Sequence, residues 1–221
     1  MSLAPVEHRG WKGLSGSVLA VAGVYVDERG CVHLPCRSRR GDVLRERIVA
    51  PDGRRWWGPG VGIHLFGVET LPSGPIVSSV AVLVCEGESD ALAAREAFKH
   101  HEDDRAVSYI ALGCPGASSW RPEWRALLED FALVYAIGDG DDAGRRFVWS
   151  VRASLPWSRP VVCPEGRDLR ELLQAGKFDL VVSLLAEADY LARLEDAVFH
   201  APNLVAAEHW LGGRGVLDRA A

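Results

Sequence analysis

The sequence predicts an α/β protein: a mainly parallel sheet flanked by helices, preceded by a small β-rich subdomain and followed by a helical tail. Three observations predict it. Between residues 80 and 175, short apolar runs alternate with stretches of helical spacing, the pattern of strand–helix–strand units. Residues 18 to about 66 instead hold short runs separated by ERG, RRGD and PDG, which are turn signals. From 178 onward the spacing is helical, through FDLVVSLLAEADYLARLEDAVF and then NLVAAEHWL, before LGGRGVLDRAA frays. The domain limits that follow are 1–79, 80–176 and 177–221.

In the front segment SVLAVAGVYV, CVHLPCR, VLRERIV and RRWW read as strands of a small antiparallel or mixed sheet. Arginine is dense there, at Arg37, Arg39, Arg40, Arg45, Arg47, Arg54 and Arg55, with Trp56 and Trp57 alongside. LPSGPIVSS (71–79) is rich in Pro, Gly and Ser and marks a boundary. After it, VAVLVC (80–85) is a continuous apolar run, as expected of a strand covered on both faces. SDALAAREAFKHH (89–101) is helical, with Ser89 as its cap. SYIAL (108–112) is the next strand. RPEWRALLED reads as a helix that tolerates Pro122 in its first turn. FALVYAI (131–137) and RPVVC (159–163) are further strands. AGRRFVWSVRASL (143–155) and DLRELLQAG (168–176) are helices, the second stopped by Gly176.

Charge is uneven along a chain of net −5. Residues 1–80 hold 10 Lys and Arg against 7 Asp and Glu, whereas residues 81–172 hold 11 against 16. A basic front and an acidic middle suit a protein that meets a polyanion with one part and holds cations with another. No apolar stretch reaches the roughly 18 to 20 residues of a membrane span, so no membrane partner is expected. The N-terminus lacks a signal-peptide core. Five dispersed cysteines, at 31, 36, 85, 114 and 163, are not a disulfide framework and point to a reducing, cytoplasmic setting. CVHLPC offers Cys31, His33 and Cys36, but no second cysteine pair exists to complete a structural zinc site.

The chemistry lies at the strand ends. In an open parallel sheet, functional groups gather at the carboxyl edge. VAVLVC runs into Glu86-Gly87-Glu88-Ser89-Asp90, FALVYAI into Asp139-Gly140-Asp141-Asp142, and RPVVC into Glu165-Gly166-Arg167-Asp168. Clustered carboxylates raise one another's pKa unless a cation intervenes. Hard oxygen donors suit Mg²⁺, which binds through one or two carboxylates plus substrate phosphates. Gly140 and Gly144 are expected to leave room for a phosphate to approach. Taken alone, DGDDAG reads as a helix cap, since acids before a helix are common. It is no EF-hand, because the fifth and twelfth loop positions would be Ala143 and Ser150.

The order of these segments resembles the Toprim domain of topoisomerases and bacterial-type primases. VLVCEGESDALAA and YAIGDGDDAGRR match its two signature halves, over about residues 80–175. ALGCPGASSW and GRDLRELL lie where DnaG-type and phage primases carry a Gly-rich turn and a late acidic segment. VYVDERGCVHLPCRSRRGD and WWGPGVGIHLFG are similar to the primase N-terminal subdomain and its join. The resemblance implies a Toprim-type sheet and a DNA primase core making short primers on single-stranded DNA by metal-dependent nucleotidyl transfer. It implies Glu86, Asp139 and Asp141 as catalytic residues and, with Asp90 and Asp168, as ligands of Mg²⁺ or Mn²⁺. Arg37, Arg54, Arg55 and Arg145 would meet template or nucleotide phosphates. Implied partners are the template, NTPs, a replicative helicase and a separate zinc-binding or template-recognition module. The late segment departs from the pattern, with Arg170 where a second acid is usual. A Toprim nuclease and a non-catalytic nucleic-acid-binding replication protein are the alternative readings.

Overall fold

A computed structural model of the chain describes residues 10–73, 80–99 and 107–200, the last four by backbone alone. The expectations for 1–9, most of the 71–79 boundary, residues 100–101 and the segments after 200 lie outside the described residues. The chain divides into two compact units, Met1–Phe178 and Asp179–Ala221. Both sheets belong to the first.

The first sheet is antiparallel, with strands β1 (Tyr25–Val26), β2 (Val32–Arg37), β3 (Val43–Val49) and β4 (Arg55–Trp57) in sequential order. Side chains alternate between its faces, so β3 sends Arg45, Arg47 and Val49 one way and Leu44, Glu46 and Ile48 the other. Arg47 lies opposite Trp57 and Val49 opposite Arg55, which puts all four on one face. The Arg45 and Arg47 guanidiniums both sit over the Trp57 ring, at 5.4 and 5.3 Å.

SVLAVAGVYV is only partly a strand. Gly16–Val21 forms the helix α1, and extended pairing begins at Tyr25. Ser15 accepts a hydrogen bond from the Val18 amide at 3.3 Å, an N-cap that local β-propensity does not reveal. Gly23, at φ 69°, then turns the chain out of the helix.

The second sheet is parallel, with strands β5 (Val80–Cys85), β6 (Ser108–Gly113), β7 (Leu133–Gly138) and β8 (Arg159–Val162) in the order β6-β5-β7-β8. The two central strands are buried almost throughout. Val82, Val84, Val134 and Ala136 share a core with Phe147, Val148 and Val151 of helix α3 (Asp142–Ser154). Helix α2 (Glu88–Lys99) packs on β5 and β6, burying Ala91 and Leu92. Each fully buried side chain of this kind contributes about 1.5–3 kcal/mol. Helix α4 (Leu169–Gln174) packs against α2, and Gly176 follows it at φ 70°. Helix α5 (Phe178–His200) carries the chain into the second unit.

Two local expectations change. Pro122–Leu127 is a 3-10 helix, not an α-helix; Pro122 at its first position still fits. Ser89 lies inside α2 instead of capping it, because the helix starts at Glu88. No helix among the described residues is long and apolar enough to cross a membrane.

Candidate active site at the carboxyl edge of the parallel sheet

The strand order fixes where a site can form. The chain leaves β5 to one side to make β6, then returns to the other side for β7. The crevice beyond the carboxyl ends of β5 and β7 is therefore the switch point of the sheet, where ligands bind in folds of this kind. Glu86 follows β5 and Asp139 follows β7. Their backbones are tied by the Glu86 amide donating to the Ile137 carbonyl at 3.1 Å. The Asp139 amide in turn donates to the Glu86 carboxylate at 3.1 Å.

A cavity of about 140 Å³ opens over this edge. Glu86, Asp90, Asp139 and Asp168 line it, together with Trp11, Lys12, Val49 and Arg55. Burial pushes Asp139 up to about 7, with the charges of Glu86, Asp90, Asp168 and Asp141 adding to it. Asp90, nearly inaccessible, rises to about 6 by burial and then by the nearby Asp168 charge. Glu86 is also raised, by burial first; the Asp139 amide opposes the shift. Lys12 is displaced the other way, downward, by burial and by the Arg55 charge. Its ammonium donates to Ser89 Oγ at 3.0 Å.

The remaining acids are more occupied. Asp141 caps α3, accepting from the Gly144 amide at 2.8 Å, so the capping role of DGDDAG is real. It is not among the residues lining the cavity. Asp168 caps α4 through the Glu171 amide at 2.6 Å and accepts from the Arg170 guanidinium at 2.8 Å. Arg170 also donates its amide to Asp90 at 3.1 Å. The residue at the position where a further acid is usual therefore brings a positive charge to that end of the rim. Among the described residues, no three His, Cys, Asp or Glu side chains close into a ready coordination shell.

Gly140 and Gly144 serve a different purpose from the one expected. A Cβ on Gly140 would run into the Pro164 carbonyl, and one on Gly144 into the Asp139 backbone. The Gly140 amide donates to the Arg167 carbonyl at 2.8 Å, and the Gly166 amide to the Gly140 carbonyl at 3.0 Å. These glycines let the acidic turn press against the loop after β8 and against its own helix. They do not open space for a ligand.

No family model matches the chain. Solved structures match it over most of its length. The primase fragment of the bacteriophage T7 primase-helicase covers 79% of this chain and 72% of its own, with a TM-score of 0.65 and 21% identity. The DnaG catalytic core covers 93% of this chain and 88% of its own, at 0.58 and 18%. The RNA polymerase domain of Mycobacterium tuberculosis DnaG covers 95% and 75%, at 0.54 and 18%. The fold is that of a primase catalytic core. In sequence, the chain is 33% identical over 90 residues to the Gene 57 protein of Mycobacterium phage D29. That segment is 41% of this chain and spans about half, 53%, of the phage protein.

Within this primase-core fold, the acidic side of the cavity is the one the sequence points to. Of the four arginines singled out, only Arg55 lines the cavity. Arg37 donates to the Gly41 carbonyl at 3.0 Å. Arg54 is 82% exposed and pairs with Asp52 at 2.7 Å, and Arg145 pairs with Asp142 at 2.7 Å. Lys12, Val49 and Trp11 escaped sequence reasoning, which read Ser89 only as a helix cap. Lys12 stands in a short 3-10 turn with φ 55°, before the first strand and outside any charge cluster. Nothing in its neighbourhood marks it. Partly buried Arg47 and buried Glu88 form an ion pair, 3.9 Å apart, between the first sheet and α2. Burial raises the Glu88 carboxyl. A Glu two residues beyond a strand-end Glu carries no mark of its own either.

Proposed function

We propose that this chain is a primase-type nucleotidyltransferase, joining nucleoside triphosphates into short primers on single-stranded DNA. The observation that carries the reading is the cavity itself, lined by Glu86 and Asp139 at the switch point together with Lys12 and Arg55. Among proteins of the same fold, the DnaG catalytic domain has been captured with single-stranded DNA, and T7 primase domains with an RNA/DNA hybrid and dTTP.

In this reading Glu86 and Asp139, with Asp90, Asp141 and Asp168, would hold Mg²⁺ or Mn²⁺. The donor set fits such an ion. It is all oxygen, and burial, then neighbouring charge, raises Asp139 and Glu86, a strain that a cation taking substrate phosphates as further ligands would relieve. The ion would supply a lowered pKa for the attacking 3′-hydroxyl and neutralise charge on the leaving pyrophosphate. Glu86 would be the catalytic carboxylate, acting on the hydroxyl proton or through the ion. Lys12 and Arg55 hold phosphate oxygens across the cavity. Arg55 and Val49 come from the antiparallel sheet, so nucleotide and template would lie between the two sheets. A replicative helicase and a separate zinc-binding or template-recognition module would be its partners.

Labelled single-stranded DNA incubated with Mg²⁺ or Mn²⁺, with and without NTPs, tests the reading. New strands that need both NTP and metal support it. Shortening of the DNA without NTP supports a Toprim nuclease built on the same acids. Salt-sensitive binding with neither product supports a non-catalytic DNA-binding protein.

A further inference from the structure

We propose that the outward face of α3 is a track for single-stranded nucleic acid, separate from the cavity and continuous with its rim. The proposal rests on the primase reading above. Helix α3 buries Phe147, Val148 and Val151 and turns Arg145, Arg146, Trp149 and Ser150 outward. Trp149 is 57% exposed, an unusual place for the largest side chain. The Arg152 guanidinium lies 5.9 Å from the Trp149 ring centroid and also donates to the Ser158 carbonyl at 3.0 Å. That anchored arginine braces one part of the indole and leaves the rest to solvent.

The charge balance favours a polyanion over an apolar protein partner. The chain as a whole is net −5. The face of α3 holds three arginines against one acid, Asp142, which is already paired with Arg145. Basic side chains that follow a backbone, with an aromatic ring between them, are the two parts of sequence-tolerant single-strand binding: phosphates meet the cations and a base stacks on the ring.

Position supplies the continuity. Helix α3 starts at the residue after Asp141, at the end of the acidic turn. Trp149 stands about two turns further, roughly 10 Å along the axis. A strand leaving the carboxyl edge of the sheet would meet Arg146 and then the indole as it passes down the flank. Neither side chain lines the cavity, so the track extends the footprint without entering the reaction.

The test is fluorescence anisotropy of the full chain with the dinucleotide (dT)2, too short to reach from the acidic turn to Trp149, and with oligo(dT) of about 25 nucleotides, longer than one single-strand footprint of roughly 4–16. Trp149→Ala weakens the longer strand by about 5- to 100-fold, the range for losing one stacked base. Trp149→Phe restores most of it. Arg146→Glu weakens the longer strand and flattens its log–log salt dependence by about 0.7 or more. Both variants bind the short strand as wild type does, keep the wild-type Tm and prime short templates normally. Equal weakening of both lengths, or unchanged affinity for the longer strand, overturns the track. If the wild type primes while these variants bind long DNA normally, only the track falls. If the wild type binds long DNA through Trp149 but never primes, only the primase reading falls.

Discussion

The two walls of the cavity are built in opposite ways. The acidic wall comes from the ends of parallel strands, where hydrogen bonds at 3.1 Å lock the Glu86 and Asp139 segments together and glycines let the turns press close. The basic wall is assembled from an isolated 3-10 turn, Lys12, and a three-residue edge strand, Arg55. One wall is rigid because the sheet dictates it. The other is held by side chains reaching across, such as Lys12 to Ser89. In the primase reading proposed above, the acids would set the chemistry and the cations the occupancy.

Breaking the acidic wall has the largest expected effect. Glu86→Gln or Asp139→Asn should lower metal-dependent primer synthesis by about 100- to 1,000-fold, the usual cost of deleting one preorganised electrostatic group. Circular dichroism should stay near wild type, showing that the fold survives. Next comes Gly140→Ala, whose Cβ meets the Pro164 carbonyl. It should cost about 1–3 kcal/mol in denaturant unfolding, as overpacking does, and depress activity by shifting Asp139. Breaking the basic wall is milder. Lys12→Met should raise KM for NTP about tenfold, or ~1.4 kcal/mol, with kcat changed less, since it removes binding common to ground and transition states. Arg54→Ala should change stability by less than ~0.5 kcal/mol and leave priming intact, because its side chain lies in solvent against Asp52. A large loss there would redraw the basic wall.

The same contrast governs what could be read in advance. Strands buried on both faces announce themselves as unbroken apolar runs, so β5, β6, β7 and β8 were legible to within two residues at each end. The acids at their ends were visible for the same reason. The antiparallel sheet was less so: α1 hid inside an apolar run whose first turn is set by the Ser15 cap. What Asp141 and Asp168 do with their oxygens was only half visible, because a capping acid and a metal-binding acid look identical in sequence. Lys12 was invisible because its role depends on a contact with Ser89, 77 residues away. Gly140 and Gly144 were noticed, but their purpose depends on the loop after β8.

The most direct measurement is the pH dependence of thermal stability, for wild type and Asp139→Asn, with and without Mg²⁺. Asp139 is raised from 3.8 to about 7 in the folded chain. The folded state then binds more protons than the unfolded state across that window, so stability falls as pH rises from about 4 to about 7. Without metal, wild type should lose stability relative to Asp139→Asn across that range. Mg²⁺ should restore it in wild type and do little in the variant, because the ion favours the charged carboxylate. Superimposable profiles with and without Mg²⁺ would contradict the claim that these carboxylates share a divalent-ion site.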